Sequence, residues 1–113
     1  KYCDGAGHQG VRANPLAYKG DKLYFRGHNI TVAQLDDFKK HQIISKATDI
    51  IVSGGSAGGL AVFTWANYVR EKAKAKNVYA VPDSGIFLDY ARFNTTTSAY
   101  RDGFINLLKL SNT

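Results

Sequence analysis

Methionine, cysteine and long apolar runs are absent or nearly absent from this chain of 113 residues. There is no Met, and the single cysteine, Cys3, excludes both an internal disulfide and a cysteine-based metal cluster. No stretch of 18 apolar residues occurs, so no segment is predicted to span a membrane. The first residues do not combine a basic segment with an apolar one, and we expect no signal peptide here. Histidine is also scarce, with His8, His28 and His41 all in the first half of the chain.

The overall composition is that of a folded protein with a basic surface. The chain is 44% hydrophobic and 21% charged, which is typical of a globular domain rather than a disordered one. Its net charge is +6, and several basic side chains fall within residues 70–76. Such a segment suits either a polyanionic partner or a solvated helix end, where lysines complement the helix dipole. No aromatic residues are interleaved with the basic ones, so we favour the helix end and predict no nucleic-acid binding.

The sequence around Ser56 has the form of a nucleophile elbow. An apolar run at residues 50–52 leads into Gly54-Gly55-Ser56-Ala57-Gly58, which matches G-x-S-x-G, and a helix-like stretch follows. In this motif the serine lies on a strained strand-to-helix turn, with glycine expected two residues before and after it because side chains there would collide. The Ala57 amide would then supply half of an oxyanion hole. A flexible Gly/Ser connector is the alternative, whereas a phosphate-binding loop lacks its Lys-Ser/Thr ending.

The hydrophobic pattern predicts helices and strands in alternation. A capping box at Thr31 and Gln34 opens the first helix, a strand buried on both faces precedes Ser56, and Pro82 ends the next strand. The last helix is expected to bury Phe104, Leu107 and Leu108. Residues 11–21 are predicted to be irregular, and residues 22–27 are either a short strand or an extended approach to a helix. The predicted helices cover residues 32–44, 57–74 and 97–110, and the predicted strands cover residues 48–53 and 78–81. This order predicts βαβ units, and hence an α/β fold with a parallel sheet and flanking helices.

The partners that a catalytic serine needs are not evident in the chain. Serine is activated by an imidazole base, and a carboxylate orients that base. The base follows the serine in α/β-hydrolases, but His8, His28 and His41 all precede Ser56. His8 lies in a glycine-rich loop that could approach the site, and His41 is predicted at the surface. Asp83, at the tip of a predicted strand, is either a triad acid or a turn former. We therefore expect an internal fragment, residues 1–113 being the central part of a single α/β-hydrolase domain.

Four motifs together resemble the pectinacetylesterase family, which includes pectin acetylesterases and Notum. They are Tyr-Cys-Asp-Gly at 2–5, Leu-Tyr-Phe-Arg-Gly at 23–27, Gly-Gly-Ser-Ala-Gly-Gly at 54–59 and Asp-Ser-Gly-Ile-Phe-Leu-Asp at 83–89. The resemblance implies a secreted serine carboxylesterase of α/β-hydrolase fold that needs no cofactor or metal. Ser56 would be the nucleophile and Ala57 an oxyanion donor, while the triad Asp and His would lie downstream of this chain. Asp83 would then belong to a site loop rather than be the acid.

Two details bear on substrate and location. Plant members of the family usually have Cys where this chain has Gly55, which leaves pectin and acylated protein open as substrates. The sequons at Asn29 and Asn94 fit a secreted glycoprotein, and a disulfide partner of Cys3 would then lie outside this stretch.

We therefore expect a carboxylic ester hydrolase that removes acetyl or longer acyl groups from a pectin-like polysaccharide or another acylated extracellular substrate. The fragment alone is expected to be inactive. One alternative is a non-catalytic family member that binds carbohydrate, and another is a basic module that binds nucleic acid in a salt-sensitive way. The oligomeric state stays open.

Overall fold

The computed structural model describes residues 4–98 and 100–111, so the prediction about Cys3 lies outside the described residues. Strands and helices alternate along most of this part of the chain, as predicted for an α/β fold. The elements are β1 (Leu16–Tyr18), β2 (Asp21–Leu23), α1 (Gly27–Lys40), β3 (Asp49–Gly55), α2 (Ala57–Ala73), β4 (Asn77–Asp83) and α3 (Arg101–Ser111). They fall into two compact units: an elbow unit of residues 28–86 and a terminal unit of residues 4–27 and 87–111.

The elbow unit is a βαβ arrangement. Strands β3 and β4 pair in parallel, with Ile51 opposite Tyr79 and Gly55 opposite Asp83. Helix α2 connects the two strands and packs against both of them. Its buried side chains recur every three or four residues, which is the spacing of one helix face: they are Val62, Trp65, Val69 and Ala73. The predicted parallel sheet and the predicted helix after Ser56 are therefore confirmed.

Two expectations about the strands of this sheet are wrong. Exposed and half-buried residues alternate along β3, so the strand is not buried on both faces. Of the helices in the elbow unit, only α2 makes substantial contact with the sheet, so one face stays open in the described residues. Pro82 does not end β4, which continues to Asp83. A proline is tolerated there because β4 pairs on one side only within the described chain.

Helix α1 begins five residues earlier than its sequence signals indicate. It starts at Gly27 and ends at Lys40, so Thr31 lies inside the helix and the predicted capping box is wrong. The Asp4 carboxylate instead accepts hydrogen bonds from the N–H groups of Gly27 at 2.7 Å and Ala6 at 3.1 Å. A carboxylate at the first turn accepts a hydrogen bond from an N–H group that has no partner within the helix. Its negative charge is also stabilised by the positive end of the helix dipole. This cap comes from 23 residues away, so no local pattern indicates it.

The terminal unit contains a hairpin where irregular structure was expected. Strands β1 and β2 pair antiparallel, with Leu16 opposite Leu23 and Tyr18 opposite Asp21. The two turn residues between them, Lys19 and Gly20, have φ values of 48° and 88°. Positive φ at both central positions is what a type I′ hairpin turn requires. The prediction of irregular structure holds for residues 11–15 and is wrong for residues 16–21, which form the hairpin.

Helix α3 is shorter than predicted and only partly buried. It begins at Arg101 rather than near residue 97. At its start, the Ser98 hydroxyl accepts a hydrogen bond from the Arg101 N–H at 3.1 Å. Phe104 is half-buried and packs edge-on against Phe87, with ring centroids 5.6 Å apart. Leu108, placed in the buried stripe by its spacing, is 51% exposed. Within the described residues, no helix is both long and apolar enough to cross a bilayer.

Candidate active site

Ser56 occupies the turn between β3 and α2 with a strained main chain. Its φ is 55° and its ψ is −116°, and the residue is exposed. A non-glycine residue with positive φ is uncommon, and holding one in a sparsely populated region costs on the order of 1–3 kcal/mol. The Ser56 hydroxyl makes no capping bond to α2. The side chain is thus at the surface, on the sharp strand-to-helix turn that the motif predicted.

Glycine is required two residues before the serine but not two residues after it. A Cβ built on Gly54 would lie 2.6 Å from the carbonyl carbon and oxygen of Gly58, a distance that no real Cβ tolerates. A Cβ built on Gly58 meets nothing within 4 Å. The expected collision therefore explains Gly54, whereas Gly58 faces open space within the described residues.

The amides after Ser56 form the open N-terminus of α2. The first intrahelical hydrogen bond runs from the Leu60 N–H to the Ser56 carbonyl at 3.0 Å. The amides of Ala57, Gly58 and Gly59 precede that bond and so have no acceptor one turn back. They lie at the positive end of the helix dipole, where negative charge is favoured. The Ala57 amide is the one next to the serine, which is the place an oxyanion donor must have in this type of turn.

Asp83 lies at the same edge of the sheet as Ser56. It is the last residue of β4 and pairs with Gly55, and its carbonyl oxygen accepts the Ser56 N–H at 3.0 Å. Its exposed carboxylate accepts a hydrogen bond from the Ser84 hydroxyl at 3.0 Å. Ser84 itself has a φ of 50°, so both strand ends carry a residue with positive φ. Asp83, which was predicted to belong to a site loop, is therefore hydrogen-bonded to the serine through its main-chain carbonyl.

No described side chain is hydrogen-bonded to the Ser56 hydroxyl. The ring of His28, in α1, packs against Trp65 of α2 with the ring centroids 4.9 Å apart. His41 is exposed, and its Nδ1 lies 3.3 Å from an Asp37 carboxylate oxygen. His8 is half-buried in the terminal unit with a φ of 64°. Within the elbow unit, the described structure thus brings neither His28 nor His41 into hydrogen-bonding contact with the serine.

Further candidate groups are placed as follows. Asn29 is exposed in the first turn of α1, and Asn94 is exposed with a φ of 56°. Among the described residues, no group of three or more His, Cys, Asp and Glu side chains is arranged to hold a metal ion.

The glycines at positions 59 and 85, which touch each other beside the serine, were not recognised from sequence. In the sequence, the signal for Gly59 is a second glycine directly after Gly58, and the signal for Gly85 is a glycine directly after Asp83-Ser84.

An exposed serine on a strained strand-to-helix turn has the geometry of the nucleophile elbow described for α/β-hydrolases. The family model described as Pectinacetylesterase matches residues 1–113. The chain is 34% identical over 110 residues to Pectin acetylesterase 5 of Arabidopsis thaliana, covering 95% of this chain and 25% of that protein. It is 28% identical over 87 residues to the palmitoleoyl-protein carboxylesterase NOTUM of Schmidtea mediterranea, covering 73% of this chain and 16% of that protein. No solved structure matches it significantly. The chain belongs to the pectinacetylesterase family.

The matched part of the relatives is short. The chain spans 25% of the length of the Arabidopsis protein and 16% of the length of the planarian protein.

Proposed function

We propose that the full-length protein carrying this chain is a carboxylic ester hydrolase with Ser56 as its nucleophile. The observation that carries the proposal is the conformation of Ser56: an exposed hydroxyl on a turn with φ of 55°, beside the open amides of α2. Strain of this kind persists where the surrounding structure holds it, and it clusters at sites of function. Membership of the pectinacetylesterase family supports the same reaction class.

The proposed reaction has two steps. In the first, Ser56 Oγ forms a bond to the ester carbonyl carbon and gives its proton to a base, while the Ala57 N–H donates to the developing oxyanion. The bond from carbon to the alcohol oxygen then breaks, and the alcohol leaves with that proton. In the second step, the base takes a proton from water, whose oxygen forms a bond to the acyl carbon. The bond from that carbon to Ser56 Oγ then breaks, the carboxylic acid leaves, and the proton returns to Oγ. We assign the base and its carboxylate to residues outside this chain, within the same α/β-hydrolase domain.

The substrate we propose is an acetylated, pectin-like polysaccharide or another acylated extracellular molecule. The two relatives are named for both kinds of ester, a pectin acetyl group and a protein palmitoleoyl group. Secretion of the protein would fit this substrate. The exposed positions of Asn29 and Asn94 are compatible with glycosylation on that route.

The proposal is tested with Ser56→Ala in the full-length protein. We expect kcat for hydrolysis of p-nitrophenyl acetate and for acetate release from acetylated pectin to fall by on the order of 10⁴-fold or more. Ser53→Ala is the matched control, because Ser53 is an exposed serine three residues earlier on β3. Unchanged turnover in Ser56→Ala would exclude the serine as nucleophile. An inactive wild-type protein that still binds pectin would favour the non-catalytic alternative.

A further inference from the structure

The loop that follows β4 is in main-chain contact with the first turn of α2. A Cβ built on Gly59 would lie 2.5 Å from the Asp83 carbonyl oxygen and 2.7 Å from the Gly85 Cα. A Cβ built on Gly85 would overlap the Gly59 carbonyl carbon and lie 2.8 Å from the Gly59 Cα. Both glycines are buried. The two backbones therefore approach so closely that neither position has room for a methyl group.

The same loop is bonded to the serine. The Ser56 N–H donates to the Asp83 carbonyl at 3.0 Å, and the Ser56 carbonyl accepts from the Leu60 N–H at 3.0 Å. The peptide units on the two sides of Ser56 are thus tied to different elements, one to the end of β4 and one to α2. With both units held, the direction of the Ser56 side chain relative to the Ala57 amide is set by the loop and the helix together.

We infer that residues 83–85 position the proposed nucleophile, with the Asp83 carbonyl and the glycines at 59 and 85 as positioning residues. This inference rests on the proposed function of Ser56. According to this inference, Asp83 positions the serine through its main-chain carbonyl and not through its carboxylate. The Asp83 carboxylate is exposed and hydrogen-bonded to the Ser84 hydroxyl beside it. A triad acid would instead have to act through its carboxylate.

The test is Gly85→Ala in the full-length protein, with Gly103→Ala as the matched control. Gly103 is a helical glycine in α3 whose added Cβ meets nothing within 4 Å. The readouts are the rate constant of the p-nitrophenol burst from p-nitrophenyl acetate, KM, and the folded fraction from circular dichroism. We expect the burst rate per folded molecule to fall about 10- to 100-fold in Gly85→Ala, with KM changed less than about threefold, because a small displacement of the nucleophile is enough to slow acylation. Gly103→Ala is expected to match the wild type.

A second pair of variants keeps the inference testable if Gly85→Ala does not fold. Ser84 has a φ of 50°, which valine adopts with difficulty and glycine adopts freely. Ser84→Val is therefore expected to shift the loop and slow the burst, and Ser84→Gly is expected to slow it less than Ser84→Val. Wild-type burst rates per folded molecule in either Gly85→Ala or Ser84→Val would overturn the inference. So would a loss of 100-fold or more in Asp83→Asn, which keeps the main chain and removes only the charge.

These outcomes are separable from failure of the proposed function. If Ser56 is not the nucleophile, Ser56→Ala keeps its activity. If only the positioning inference fails, Ser56→Ala is inactive and Gly85→Ala acylates at the wild-type rate.

Discussion

Ser56 stands in a main-chain conformation that glycine would adopt at less cost. Its φ of 55° and ψ of −116° are held by hydrogen bonds on both sides of the residue. Glycine there would relieve the strain but would supply no hydroxyl. A side chain in this strained conformation is a reason to consider Ser56 functional rather than a part of a flexible connector.

The two glycines that flank the serine should respond differently to alanine. Gly54→Ala places a methyl group 2.6 Å from the Gly58 backbone, so we expect a loss of about 1–3 kcal/mol in the free energy of unfolding. Gly58→Ala meets open space at a helical position, so its stability is expected to rise by up to about 1 kcal/mol. Urea unfolding of the full-length variants measures both changes. Equal losses in the two variants would contradict this account of the turn.

Asp4 is the second residue whose removal should have a specific effect. Asp4→Ala deletes the acceptor for the Gly27 and Ala6 amides, and Asp4 is a buried residue, with 8% of its surface exposed. We expect a loss of about 1–3 kcal/mol, because these are hydrogen bonds to a charged group at a helix N-terminus. Asp21→Ala, at an exposed position of β2, serves as the control. Unfolding midpoints that coincide for the two variants would show that Asp4 is not the cap of α1.

At the scale of elements, the sequence predicts well what local residues determine. The strand, serine and helix around position 56 were predicted to within two residues, because β-branched residues and glycines act on their immediate neighbours. The start of α1 was missed because its cap, Asp4, is distant in sequence. The β1–β2 hairpin was missed because its turn begins with Lys19, where asparagine, aspartate or glycine is the usual signal.

The site divides in the same way. The elbow motif indicates Ser56 and the Ala57 amide, since that motif is contiguous. The contact between Gly59 and Gly85 depends on the approach of two backbones, which no side-chain pattern records. Gly58 shows the opposite error, since the motif predicts a steric need that the described structure does not contain.

The N-terminus of α3 carries a pH-dependent ion pair. Hydrogen bonds from Ser98 and Arg101 lower the pKa of the Asp89 carboxyl below its ordinary value. The Arg101 Nε donates to Asp89 at 2.8 Å. Because the folded-state pKa is lowered, this stabilisation is fully present above the unfolded pKa of about 3.9 and is lost as the pH falls through the folded pKa.

Asp89→Asn tests that ion pair. We expect the variant to have a lower Tm than the wild type at pH 6, and the difference to shrink between about pH 4 and pH 2. Thermal melts followed by circular dichroism at several pH values give the comparison. Asp102→Asn is the control for charge in the same first turn of α3. A Tm difference that stays constant down to pH 2 would contradict the assignment.

At the scale of the whole molecule, one face of the β3–β4 sheet exposes large apolar side chains. Ile51 is 69% exposed, Tyr79 is 53% exposed and Val81 is 51% exposed, on the side away from α2. Contiguous apolar side chains of this size are typical of surface that meets another part of a protein or a partner. For this reason the experiments on activity and stability use the full-length protein.

The proposed secretion predicts a glycan, and the structure favours one sequon over the other. Asn94 is exposed in an irregular segment with a φ of 56°, whereas Asn29 lies within α1. Sequons in surface loops are the usual acceptors. After expression in a secreting eukaryotic host, enzymatic deglycosylation should reduce the mass of the wild type and of Asn29→Gln. It should leave Asn94→Gln unchanged, and a glycan carried by Asn29 alone would contradict the prediction.

Covalent trapping of the serine would identify the nucleophile. The full-length protein is treated with a fluorophosphonate, digested, and analysed by mass spectrometry for the modified residue. We expect one phosphonate per molecule, located on Ser56. Neither Ser56→Ala nor heat-denatured protein should be labelled. Labelling at a different serine, or no labelling of a folded protein that hydrolyses p-nitrophenyl acetate, would contradict this expectation.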